Sequence, residues 1–457
     1  MSYLQKILSY NLADKKNIKK LLILGVIKKV VFALVFLYAS NANALSLYYD
    51  AQLEDYLNKM AAPLKKSSGL RDVRFYIASS NQINAFATEN KEIVLYSGLI
   101  EKSKTKQQVQ GVLAHELGHL IAQHHVKSRV KHTDSGFNTI AGTILGVGAI
   151  IAGAPQAGYA AIVGGGAADM SKALAHSRTH ENEADSIAIK LLDENNISKK
   201  GLADFFKLLE RQENNFYKDN PEYLSTHPST SNRKSFITAN ITNDESIKND
   251  EDFDIFKAKI FALTNKAEKV INYYSVKEDS AATSLALAIG YAAQNDFSKA
   301  FKQLDKSKKL GLKDVWYYDM LGQMMYQKAD FEESVSFYIK SKELGNDSWI
   351  LDFQIAESLY ALKNKKALDY YFKAVSKFEY FYYTYKRIAD VYAQQKEMSK
   401  AYVYLTIYNL KTGKTKDAKR YYALLEKQIE KDNVTDPVVL QQLADFKQYF
   451  KLKKESK

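Results

Sequence analysis

His115-Glu116-Leu117-Gly118-His119 constrains this chain more than any other five residues. The segment reads H-E-x-x-H inside a strongly apolar stretch, Val109 to Ile121, that is patterned as a helix. On a helix, positions i and i+4 share a face, so both imidazoles can aim at one ion. Glu116 sits beside them, placed to take a proton from a metal-activated water. Zinc chemistry needs this arrangement: two imidazoles, a third protein ligand and a position left open for water. The bland alternative is a core helix with two satisfied histidines, and the chain holds only 8 His to make one.

A second helical segment carries Ser177-Arg178-Thr179-His180-Glu181-Asn182-Glu183-Ala184-Asp185. Glu181 and Asp185 form another i, i+4 pair, the spacing of a ligating carboxylate followed one turn later by a carboxylate that orients a ligand histidine. Glu181 is therefore the expected third ligand and Asp185 the orienting residue. Glu183 competes for the ligand role but faces about 200° away, so only one of the two can reach the ion. His124, His125, His132, His176 and His180 read as surface residues.

These motifs carry a resemblance. H-E-L-G-H followed by S-R-x-x-E-x-E-A-D is similar to the zinc metallopeptidase family that includes the CAAX-prenyl endopeptidase and HtpX-type membrane proteases. Ile83-Asn84-Ala85-Phe86-Ala87 and Ile93 to Leu99 resemble that family's segments before the active helix. Thr226-His227-Pro228 with Arg233 resembles its T-H-P…R element. The resemblance spans roughly residues 50 to 240. It implies one zinc per chain held by His115, His119 and Glu181, with Glu116 as general base. His227 keeps three readings: an oxyanion donor, a latch in the metal's open position, or a helix cap.

The N-terminus follows secretory logic. Lys15, Lys16, Lys19 and Lys20 precede an apolar stretch containing Lys28 and Lys29, and Val30 to Tyr38 is uninterrupted. Ala42-Asn43-Ala44 is then a small-residue site, so residues 1–44 read as a signal peptide cut after Ala44. An uncleaved anchor from Leu21 to Tyr38 would bury two lysines in mid-span, which is costly. Cys is absent, which excludes a disulfide framework, a thiol nucleophile and a lipidated cysteine. Net charge is +13 with the lysines scattered, and no nucleic-acid module is visible. Peripheral contact with anionic lipid is permitted.

Within the expected metallopeptidase domain, 45–240, a helix over Tyr48 to Lys65 precedes strands at Val73–Ile77, Asn84–Thr88 and Ile93–Tyr96. One strand either offers its edge to an extended substrate or belongs to a core hairpin. Phe137 to Met170 is rich in Gly and Ala around Pro155. It fits a packed helical pair, a membrane-surface hairpin or, least well, a true span.

Residues 241–265 are polar and acidic in their first half and read as a connector. From 266 to 450 the chain is helical, and Ala300, Ser334, Ala367 and Ala401 recur at spacings of 34, 33 and 34. A small residue at a fixed place in such a helix-turn-helix unit resembles tetratricopeptide repeats. Each repeat touches mainly its neighbours, so the array is expected to be separable from the peptidase core.

The fold class is thus α+β and mainly helical: a zincin-like domain with a small sheet, then an all-α tetratricopeptide-like solenoid. The combination resembles periplasmic, repeat-bearing members of the family. That implies unfolded or misassembled protein substrates, the outer-membrane barrel assembly machinery as partner, and no nucleic acid. Two other classes remain: a membrane metalloprotease, and a chaperone or scaffold with an idle site.

Overall fold

A computed structural model describes residues 47–88, 90–124, 167–213, 227, 231–241 and 250–455. The expected signal peptide, residues 137–166 and Thr226 and Pro228 lie outside these. No helix among the described residues is long and apolar enough to cross a membrane. The chain falls into two compact units, residues 1–46 with 124–180, and residues 47–123 with 181–457. Nearly everything described belongs to the second.

That unit starts with a four-stranded sheet, β1 (Leu47–Tyr48), β2 (Arg74–Ala78), β3 (Ala85–Ala87) and β4 (Glu92–Tyr96), in the order β1-β2-β4-β3. β2 and β4 run parallel with Tyr76 opposite Val94, and β3 pairs antiparallel to β4 with Phe86 opposite Val94. Successive side chains alternate faces. Phe75, Ile77, Ile93, Leu95, Ala85 and Ala87 therefore enter the core, while Tyr76, Val94 and Phe86 share the other face. β3 is an outer strand of the described sheet, and it also pairs antiparallel with β4 with Ala85 and Ala87 in the core.

Two helices cover the inner face. α1 (Ala51–Ser68) starts where the Asp50 carboxylate accepts from the Gln52 and Leu53 amides, and stops at Gly69, whose φ of 71° suits glycine. α2 (Ser97–Lys102) is short and leads to α3 (Lys106–Ile121), which carries the H-E-x-x-H. Thr105 and Gln108 close a capping box at its start. Every residue from Gln108 to His119 is buried, so α3 is a core helix enclosed on all sides. The remaining peptidase helices are α4 (Ala167–Glu194), α5 (Lys200–Glu213) and α6 (Ser231–Ala239).

The expected connector needs correction over its second half. Residues 251–264 form a regular helix, α7 (Glu251–Thr264), capped by Asp250, with Phe253, Phe256 and Ile260 almost wholly buried. Its acidic residues occupy the first turn, where the helix dipole favours negative charge. A polar composition there marks a helix start as readily as a linker.

After α8 (Ala267–Tyr274), helix pairs stack in register: α9 (Ala281–Ala293) with α10 (Phe297–Lys309), α11 (Asp314–Gln327) with α12 (Phe331–Glu343), α13 (Trp349–Ala361) with α14 (Ala367–Lys377), and α15 (Tyr383–Gln394) with α16 (Met398–Lys411). α17 (Thr415–Asp432) and α18 (Pro437–Glu455) follow. The four recurrent small residues are all buried, at 0 to 1% exposure, where paired helices meet. Ser334 donates to the Gly322 carbonyl at 2.9 Å, and a Cβ on Gly322 would lie 2.5 Å from the Tyr338 ring. The turn within each pair also repeats, through the left-handed residues Asn295, Ala329, Lys363 and Lys396.

The array shares a core with the peptidase domain. One apolar cluster runs from Leu53 and Leu57 of α1 through Phe256 of α7 to Trp316 and Met324 of α11. The Tyr56 ring packs tilted against Phe256, with centroids 4.6 Å apart. The fully buried Lys259 ammonium lies 2.8 Å from Asp50, the cap of α1, and 3.5 Å from Asp319 of α11. Burial pushes the Asp319 carboxyl up, and Lys259 opposes that rise. A chain ended near residue 245 would re-expose Leu53, Tyr56 and Leu57, at about 1.5–3 kcal/mol each, against a total stability of about 5–15 kcal/mol. It should show no cooperative thermal unfolding by circular dichroism. A sharp transition with native helix content would show that the peptidase half folds alone.

Candidate metal centre

α3 and α4 face each other at an unusually short distance, and Gly118 is the reason. A Cβ there would sit 2.6 Å from the Ala184 carbonyl oxygen and 3.0 Å from its Cα. Ala184 lies between Glu181 and Asp185, so this approach carries both carboxylates to the two histidines. His115 Nε2 lies 3.1 Å from His119 Nε2 and 3.3 Å from Glu181 Oε2. His119 Nε2 lies 3.4 Å from Glu181 Oε1. One atom each from His115, His119, Glu181 and His227 falls within 4.8 Å of the others, and all four residues are buried. Glu183 is exposed.

Behind the cluster, His115 Nδ1 lies 2.9 Å from Asp185 Oδ1, a contact that leaves Nε2 for the centre. Arg233 holds the carboxylates in turn. Its Nε and Nη2 donate to the two Asp185 oxygens at 2.6 and 2.9 Å, and its Nη1 lies 2.9 Å from Glu181 Oε2. Arg233 is 1% exposed and lies over the Phe206 ring. The sequence offered Arg233 only as part of a T-H-P…R pattern. Its bidentate role depends on a fold that joins positions 48 residues apart.

His227 enters the cluster itself. Its Nδ1 lies 3.2 and 3.3 Å from the Glu181 oxygens and 3.4 Å from His115 Nε2, and its Nε2 lies 3.5 Å from Glu116 Oε1. Glu116 is 1% exposed, and among the described residues its Oε1 has no hydrogen-bond partner. A buried carboxylate left this way is costly unless something cationic or a water adjoins it. His124, expected at the surface, is instead 3% exposed and stacks on His180 at 4.0 Å.

The electrostatics favour a cation. Burial alone would lower the His115 pKa, yet Asp185 and Glu181 hold it up at about 9. Burial would raise Glu181, but His227 and His115 keep it well below the usual carboxylate range. Arg233 and His115 likewise overcome burial at Asp185. Carboxylates that stabilise an imidazolium equally stabilise a metal dication in its place. The donor set, three imidazole nitrogens and a carboxylate, suits zinc. Gly118→Ala should move α4 outward and weaken metal affinity about 10- to 100-fold, as read by competition with a chromophoric chelator. Unchanged affinity would mean that the close approach does not set the site.

Residues 48–241 match the model of Peptidase family M48. The Escherichia coli (strain K12) beta-barrel assembly-enhancing protease is 26% identical over 286 residues, covering 60% of this chain and 58% of the relative. The Yersinia pestis protein of the same name is 24% identical over 323 residues, covering 68% and 66%. Protease HtpX of Legionella pneumophila is 30% identical over 132 residues, covering 27% and 43%. The matched stretch thus spans little more than half of the Escherichia coli relative. Among solved structures, a MamA structure covers 36% of this chain and 97% of its own, at 18% identity and a TM-score of 0.31. Yeast Tom70 covers 60% and 61%, at 16% identity and a TM-score of 0.29.

Proposed function

We propose that this chain, with its Peptidase family M48 domain, is a zinc-dependent endopeptidase. Its substrates are unfolded or misassembled proteins, among them outer-membrane β-barrels stalled in assembly. The observation that carries the reading is the buried cluster of His115, His119 and Glu181 with Glu116 beside it. When bound there, zinc supplies a Lewis acid that polarises the scissile carbonyl and brings a water's pKa towards about 7.

The chain's own residues do the rest. His115, His119 and Glu181 hold the metal, and Asp185 and Arg233 fix His115 and Glu181. Glu116 accepts the water's proton and passes it to the leaving amine. β3 lies beside α3 and presents an edge, so an extended substrate can pair with it main chain to main chain. This gives grip without sequence choice, as suits a quality-control peptidase. His227 occupies a donor position in the resting site and acts as a latch.

The names of the Escherichia coli and Yersinia pestis relatives support a role in β-barrel assembly, and the A-x-A leader supports a periplasmic location. The repeats supply the surface for the assembly machinery. A scaffold with an idle site would not need a complete donor set, an orienting carboxylate and a buried base together. Digestion of casein by the purified chain should stop with o-phenanthroline and return with added zinc. Digestion that continues at full rate through chelation would contradict the reading.

A further inference from the structure

A cleft of about 590 Å³ lies away from the metal centre, between the sheet's outer face and the turn joining α14 to α15. Tyr49, Tyr76 and Val94 line one side, and Phe378, Tyr380 and Tyr382 the other. Tyr380 is 47% and Tyr49 39% exposed, so the aromatic surface is open to a ligand. The charged groups on the rim are already matched. Arg74 pairs with Glu92 at 2.9 Å and lies over the Tyr380 ring at 4.2 Å, and Lys91 pairs with Asp72 at 2.9 Å. A phosphate or other anion therefore finds no uncommitted cation among these lining groups. What remains on offer is aromatic faces and phenol hydroxyls, which complement apolar side chains and main-chain amides.

The cleft continues towards the edge strand. Val94 lines it, and in the sheet register Val94 stands between Tyr76 of β2 and Phe86 of β3. These three form one apolar row crossing the outer face, and Tyr76 meets Phe378 at 6.3 Å. The row joins the repeat turn to the edge strand beside α3.

We propose that this cleft binds an extended polypeptide segment rich in aromatic and β-branched residues. It is a second grip on the same unfolded substrate whose neighbouring stretch pairs with β3. The inference rests on the peptidase reading for the identity of that substrate. Two weak contacts on one chain reinforce each other through effective concentration. Placing one of them partly on the repeats also explains why an array this firmly fixed to the peptidase domain would serve substrate capture.

The test uses the full-length Glu116→Gln chain and fluorescence anisotropy of a short labelled peptide alternating Tyr and Val with Ser. Saturable binding is expected, weakened about tenfold by Tyr380→Ser, the loss of one well-packed aromatic contact, and retained by Tyr380→Phe. A peptide with Ser in place of Tyr should also bind about tenfold more weakly. Parent-like binding by both Tyr380→Ser and Tyr49→Ser overturns the proposal. So does intact peptide binding alongside a Tyr380-dependent loss of binding to phosphatidylglycerol vesicles. The assay needs no catalysis. A wild-type chain that binds through Tyr380 but digests nothing would sink the peptidase reading alone, and digestion without cleft-dependent binding would sink this inference alone.

Discussion

Glu116→Gln is expected to retain one zinc per chain and to lose about 10²- to 10⁴-fold in proteolysis, the range for removing a positioned general base. The substitution keeps shape and removes charge. Glu116 is 1% exposed, and among the described residues its Oε1 makes no hydrogen bond and only the 3.5 Å approach of His227 Nε2, so little structural contact there is sacrificed. His115, His119 and Glu181 are untouched, and so metal content should not change. The measurement pairs metal analysis with digestion of an unfolded protein on the same preparation. Full activity in this variant would remove Glu116 from the chemistry, whatever its position.

His227→Ala is expected to act in the opposite direction. The latch reading follows from where Nδ1 sits, 3.2 Å from Glu181 Oε2 and 3.4 Å from His115 Nε2, inside the donor cluster. A side chain there competes with water and substrate and also places its Nε2 against Glu116. Removing it should raise basal proteolysis on the order of tenfold if the latch holds the site shut by about 1.4 kcal/mol. An oxyanion donor would behave otherwise, and its loss would cost on the order of 10²-fold. Rates on one substrate separate the two, and equal rates would take His227 out of the site.

Much of this was legible in the chain because it is local. Three of the four described strands lie within a residue of the stretches that alternation marks, β1 having fallen at Tyr48 where a helix was expected, and H-E-x-x-H declares its helix and its shared face at once. The repeats announced themselves because a buried small residue must recur wherever paired helices touch. Contacts made across the fold left weaker signals. Gly118 looks like a neutral spacer until the backbone of Ala184 is seen against it. Arg233 becomes a clamp only when α6 brings it to Asp185. The polar run before α7 hid a core helix because capping and linker residues are the same residues. The packing of the array against the peptidase core was not foreseen because nearest-neighbour logic describes repeats against repeats. It is silent about Lys259, which ties α7 and the cap of α1 to the repeat helix α11.

The central claim, that His115, His119 and Glu181 hold a catalytic zinc, is tested most directly by metal stoichiometry on Glu181→Ala and Glu183→Ala beside the wild type. Glu181 is buried in the donor cluster and Glu183 is exposed. The wild type and Glu183→Ala should each bind one zinc per chain and digest casein, while Glu181→Ala should do neither. One zinc on Glu181→Ala together with none on Glu183→Ala would contradict the account.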